Sequence, residues 1–257
     1  MRYLGLVLSF FLLACGTEQV QKEQKSDIAQ LSEQLLQNPN DVALLQKRKQ
    51  LFLDRGNLEA AMMDQELIVS LDSSNHELLF ELAEMQYQIA VNGRPNYYKA
   101  SLKNLTKDLE AQEAHTASLL LRGELHYLYR KHEESLKDLN NVLRVDPYEA
   151  KVYYLKGLNF KELGDFEKAI SQFQTTVDQD PYHLNAYEQL AFVYAYLGNP
   201  LAELYFDNAL AVDSSNVQIW YNKGMYLQGL ERYADAEKCY KSMLRRDKFN
   251  QFANYNL

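Results

Sequence analysis

The chain has 257 residues, with 27 Lys and Arg against 35 Asp and Glu, and its formal net charge of −8 repels a phosphate backbone and sets nucleic acid aside as a partner. Gly at 10 and Pro at 5 leave little material for turns, and no segment alternates apolar and polar residues with period two, so strand-rich folds are excluded and an all-α structure is expected.

The chain starts with Met1-Arg2-Tyr3, a short positive segment, followed by an apolar run from Leu4 to Leu13 that is too short to span a bilayer stably. Leu12-Leu13-Ala14-Cys15 resembles the lipobox of bacterial lipoproteins, with Leu13 where that family prefers a smaller residue. The resemblance implies that residues 1–14 are a signal peptide cut before Cys15, and that Cys15 is then diacylated on sulfur and acylated on its new amino group. Several acyl chains anchor firmly where one holds marginally. Residues 16–27, GTEQVQKEQKSD, are polar and read with Cys15 as a solvated tether over 15–27. Gly16 rather than Asp follows the cysteine, which by resemblance to Gram-negative lipoproteins favours the outer membrane and leaves its face open. With Cys15 lipidated, Cys239 has no partner for an intramolecular disulfide and reads as a small core residue of a helix.

From residue 28 onward the chain repeats itself. Gly123, Gly157, Ala191 and Gly224 follow one another at steps of 34, 34 and 33, and Ser135, Ala169, Ala202 and Ala236 keep the same steps. Small residues at fixed places in two helices allow close backbone approach, where a larger side chain would overpack. Pro39, Pro147 and Pro181 end second helices, since Pro cannot continue a helix and biases its predecessor away from helical angles. Ser73, Ser214 and Lys248 stand at the same place in other units, which predicts less sharply fixed ends there, although Asp72, Asp213 and Asp247 still precede them. Large residues at the remaining landmarks, Tyr153, Phe160, Phe166 and Phe173 in one unit and Trp220, Tyr233 and Tyr240 in another, are expected to fill the core.

The whole pattern, clearest in YYLKGLNFKELGDFEKAISQFQTTVDQDP from Tyr153 to Pro181, resembles the tetratricopeptide repeat. The resemblance implies an all-α, right-handed superhelical array of antiparallel helix pairs over 28–257. It divides into a half unit 28–41, repeats 42–75, 76–115, 116–149, 150–183, 184–216 and 217–250, and the start of another at 251–257. Lys156 and Lys223 take the usual Leu of the Leu-Gly landmark, and Arg48-Lys49 replace the pair in the first repeat. The second repeat is longer by six, and the excess is expected as an extended exposed loop around Ala90 to Asn96, with Tyr97 and Tyr98 starting the next helix.

Catalytic chemistry is not legible. His76, His115, His126, His132 and His183 include no i, i+4 metal pair, and no HExxH, GxSxG, phosphate loop or paired-cysteine motif occurs. No catalytic residue, metal, cofactor or small-molecule substrate is expected. The basic cluster Lys238, Lys241, Arg245, Arg246 and Lys248 reads as the solvated end of a helix.

In tetratricopeptide domains the concave wall is lined from set positions of each first helix. By that resemblance the wall here consists of Phe80, Tyr87, Leu120, Tyr127, Tyr154, Leu158, Phe192, Tyr196, Tyr221 and Met225. Two readings stand side by side, a groove for a partner segment and apolar packing between adjacent repeats. The Lys and Asn positions that hold a C-terminal carboxylate in chaperone-tail domains are occupied by Gln46/Gln50, Phe80/Glu84, Leu120/Glu124 and Tyr154/Leu158, so recognition by shape and aromatic contact is expected. The sequence therefore reads as a non-enzymatic lipid-anchored scaffold binding another envelope protein or peptide segment. The alternatives are a recruiting subunit of an enzyme or transport machine whose active part lies elsewhere or beyond residue 257, and a cell-wall-binding structural module.

Overall fold

The computed structural model describes residues 27–256, and every element among them is a helix. The expected signal peptide 1–14, the expected lipidation site Cys15, residues 16–26 of the expected tether and Leu257 lie outside the described residues. In chain order the helices are α1 (27–37), α2 (Val42–Asp54), α3 (Leu58–Leu71), α4 (His76–Val91), α5 (Tyr97–Ala111), α6 (Thr116–Leu128) and α7 (His132–Val145). They continue as α8 (Ala150–Glu162), α9 (Phe166–Gln179), α10 (Leu184–Tyr196), α11 (Leu201–Val212), α12 (Val217–Gly229), α13 (Tyr233–Arg246) and α14 (Gln251–Tyr255). They form two compact units divided between Leu125 and His126, inside α6.

Helix starts are written locally. The side chains of Asp41, Asn57, Asn75, Glu149, Asp165, His183, Asn216 and Asn250 each accept a backbone N–H of the first turn they precede. The ends of α7, α9, α11 and α13 are written by aspartate rather than by proline. The carboxylates of Asp146, Asp180, Asp213 and Asp247 accept the backbone N–H two residues on, at 3.0, 3.0, 2.9 and 3.1 Å. Ser214 and Lys248 thus stand in the same turn as Pro147 and Pro181, and the expectation of looser ends without proline does not hold.

In the first unit α2 packs on α3 and α4 on α5, and α3 joins the two pairs. Its cores gather around Ala61, Leu79 and Leu82, and around Ala83, Leu105 and Leu125. The extra length of the second repeat does not form an extended loop. Against its counterparts three residues lengthen α4, two lengthen the turn that follows and one lengthens α5, so Ala90 is helical and 3% exposed. Only the turn of Asn92 to Asn96 is exposed throughout, with Gly93 at φ 105°, and Tyr97 and Tyr98 begin α5.

In the second unit α8 packs on α9, α10 on α11 and α12 on α13, with α9 against α10, α11 against α12 and α14 against α13. The small residues lie at the tightest contacts. A Cβ on Gly157 would be 2.5 Å from Phe173 Cε1, and one on Gly224 would be 2.6 Å from Tyr240 Cε1. Phe173 and Tyr240 are fully buried, but Tyr233, expected in the core, is 64% exposed at the first position of α13.

Candidate functional site

In the second unit the first helices α8, α10 and α12 carry the predicted wall. Phe192 and Tyr196 are one turn apart on α10 and 39% and 75% exposed, and Met225 on α12 is 43% exposed. Tyr196 rests one edge on Phe166, with ring centroids 4.9 Å apart, and Phe192 meets Phe206 edge-on at 6.0 Å. Tyr154, Leu158 and Tyr221 lie deeper. Tyr154 sits 4.7 Å from the His183 ring and 5.8 Å from Phe173, Leu158 packs on the same core, and Tyr221 is 5.5 Å from Phe252. Burial pushes the Tyr154 phenol up to about 12. Tyr127 is half-buried, its ring 6.2 Å from His132. Glu188, half-buried on α10, is held above the ordinary carboxylate range by desolvation. The wall is thus apolar and graded, open at Phe192, Tyr196 and Met225 and packed at Tyr154, Leu158 and Tyr221.

Within the first unit, Phe80, Tyr87 and Leu120 of the predicted wall are all half-buried. The Tyr87 hydroxyl donates to Glu124, and burial followed by that carboxylate raises its pKa well above the ordinary phenol value. Phe80 meets the His115 ring edge-on at 5.0 Å.

His115 belongs to a cluster that spacing along the chain does not announce. Asp108 in the last turn of α5, His76 at the start of α4 and His115 just before α6 converge, with one potential ligand atom from each within 4.8 Å of the others. Asp108 Oδ2 is 2.7 Å from His115 Nδ1 and accepts from the Ser118 hydroxyl. Asp108 Oδ1 faces His76 Nδ1 at 3.7 Å. The signal was register. Each second-helix C-cap donates its N–H to the residue four before it, and those residues are Ile68, Asp108, Val142, Thr176, Ala209 and Met243. All are buried, and Asp108 alone is charged. Ser118 is itself buried and tied to the carboxylate, so the Ser, His and Asp do not form an exposed nucleophile with its base.

Two other sequence features resolve simply. Cys239 is a free, buried thiol whose pKa burial raises, an inert core residue. Of the basic cluster, Lys238 pairs with Asp235, Lys241 with Glu237, and Arg246 lies 5.2 Å over the Trp220 ring while donating to the Ser242 carbonyl.

Antiparallel helix pairs with small residues at their crossings define a class of helical repeat protein. Residues 150–183 and 217–250 each match the family model of the tetratricopeptide repeat, so the chain contains tetratricopeptide repeats, and its helix pairs are those of a tetratricopeptide solenoid. Similar in fold are a tetratricopeptide repeat protein from Parabacteroides merdae, at 16% identity, 96% of each chain covered and TM-score 0.64, and YrrB, described as having an unusual peptide-binding site, at 16% identity, 74% of this chain and 96% of the other covered and TM-score 0.57. Human tetratricopeptide repeat protein 6 is 25% identical over 166 residues, 63% of this chain and 32% of its own length. The chain spans about a third or less of the curated relatives it matches first.

Proposed function

We propose that the protein is a non-enzymatic, lipid-anchored scaffold of the bacterial cell envelope, whose first-helix wall holds an apolar segment of another envelope protein. The observation that carries the binding role is the exposed row of Phe192, Tyr196 and Met225, large apolar side chains left open beside a packed core. Peptide binding by the similarly folded YrrB supports the reading. No helix among the described residues is long and apolar enough to cross a membrane, and the anchoring reading rests on Leu12-Leu13-Ala14-Cys15 alone.

The test is metabolic labelling with a palmitate analogue, followed by crosslinking and affinity purification from the membranes of the source cells. Wild type should carry label and bring down a partner, and Cys15→Ala should lose the label. Equal label on both proteins overturns the anchor, while purified peptidoglycan sedimenting with the protein in place of a protein partner overturns the scaffold reading.

A further inference from the structure

We propose that His76, Asp108 and His115 form a binding site for one divalent transition-metal ion of the Zn²⁺ class, clasping the start of α4, the end of α5 and the approach to α6. Asp108 is fully buried at a register position that is apolar or uncharged in every other described repeat, and a buried carboxylate is costly unless its oxygens are satisfied. The Ser118 hydroxyl and His115 satisfy Oδ2 only. Asp108 Oδ1 and His76 Nδ1 are both buried atoms without a hydrogen-bond partner in the protein, and they face one another at 3.7 Å. That separation is too long for a hydrogen bond and lies within the reach of two bonds of about 2.0–2.1 Å to one shared ion. His115 completes the set from the other side, its Nδ1 exchanging the 2.7 Å contact with Oδ2 for the ion or turning its second nitrogen inward.

Two imidazoles and one carboxylate suit Zn²⁺, Co²⁺ or Ni²⁺ and are too few oxygens for Ca²⁺ or Mg²⁺. The side chains of His76 and His115 are 40% and 24% exposed, so an ion has an entry path and water a place in the remaining coordination position. Ser118 orients the carboxylate through the oxygen that the ion leaves free. Ordinary hydrogen bonding of His115, Asp108 and Ser118 accounts for half of this arrangement and leaves the facing His76 Nδ1 and Asp108 Oδ1 without a hydrogen bond.

Calorimetric titration of the tag-free full chain with Zn²⁺, and visible absorption with Co²⁺ as the spectroscopic probe, test the site. Wild type should bind a single ion, with an intense low-coordinate Co²⁺ band and a melting temperature that rises with Zn²⁺. His76→Ala and His115→Ala should abolish binding, Ser118→Ala should weaken it by about 10–100-fold, and His183→Ala, which removes a helix cap elsewhere, should leave it unchanged. Asp108→Ile restores the apolar register, so it should fold, bind nothing and show no Zn²⁺ dependence of melting. Wild type that binds no Zn²⁺, or His76→Ala that binds as wild type does, overturns the proposal.

Discussion

At Gly157 a single missing methyl group decides whether α8 and α9 close. Its Cβ would lie 2.5 Å from a ring carbon of Phe173, which is fully buried and would have to shift within the core. Helix propensity alone favours Ala over Gly by about 1 kcal/mol. Overpacking opposes this by about 1–3 kcal/mol, so Gly157→Ala should be net destabilising and Gly157→Leu more so. Chemical denaturation reads the sign, and Phe173→Leu should relieve Gly157→Ala. This contact was legible, because the small-residue series marked it without showing its partner.

Arg48 was legible only as a departure from the repeat. In the structure it forks onto Asp64, with Nε 2.9 Å from Oδ2, and reaches Ser32 Oγ at 3.1 Å, while Lys49 beside it bonds Gln65 Oε1 at 2.9 Å and Glu81. The Asp64 side chain is 3% exposed, so Arg48→Met should cost about 3–5 kcal/mol by stranding a buried carboxylate. Arg48→Met with Asp64→Leu should recover most of that loss in the same denaturation experiment. A double variant no better than the single would mean that the loss does not come from a stranded carboxylate. Charges that look like noise in a one-dimensional register are partners across helices, and only the fold brings residues 16 apart face to face.

Among elements, the turn inside each helix pair is fixed more tightly than its sequence suggests. Gly56, Gly164 and Gly198 adopt φ of 71°, 77° and 65°, and at the same place Arg130 and Glu231 adopt 59° and 60°. The following N–H reaches back to close the turn, as Arg232 N does to the Leu227 carbonyl at 3.0 Å. A non-glycine residue pays about 1–2 kcal/mol for this left-handed conformation. Glu231→Gly should therefore raise the melting temperature, the gain reduced by the greater freedom of glycine in the unfolded chain. An unchanged or lower melting temperature would show that Glu231 makes a compensating contact. Second-helix ends behave the same way. Ser74 and Ser215 hydroxyls hold the Asp72 and Asp213 carboxylates below the usual range, so these exposed caps are intact above the ordinary carboxylate pKa and loosen as pH falls through their lowered values. Proline and the aspartate before it were both visible in sequence, and it is the aspartate that makes the bond, at every second-helix end from α3 to α13 but that of α5, which closes on Gln112.

For the molecule as a whole, helix pairing was legible because a repeat writes its register several times over, whereas the division of labour along the apolar wall was not. Residues at equivalent repeat positions look alike in sequence, and their exposure depends on what the next helix pair places beside them. Tyr154 and Tyr221 back onto Phe173, His183 and Phe252, so each serves core and wall together, and truncating them would lower stability and binding at once. Phe192, Tyr196 and Met225 carry the larger exposures and separate the two roles. Phe192 and Tyr196 also touch Phe206 and Phe166, so Phe192→Ala with Tyr196→Ala should leave helicity intact and lower melting less than truncation of Tyr154 and Tyr221 does, while costing roughly 2 kcal/mol or more per good anchor in partner affinity. Crosslinked recovery of the partner from membranes should then fall to background, with Tyr233→Ala, exposed on a second helix, recovering as wild type does. Undiminished recovery by the Phe192 and Tyr196 variant would move the contact off this wall. Unfolding of that variant would instead mean that the contacts of these rings with Phe166 and Phe206 outweigh their exposed faces, and that the open row is packing surface.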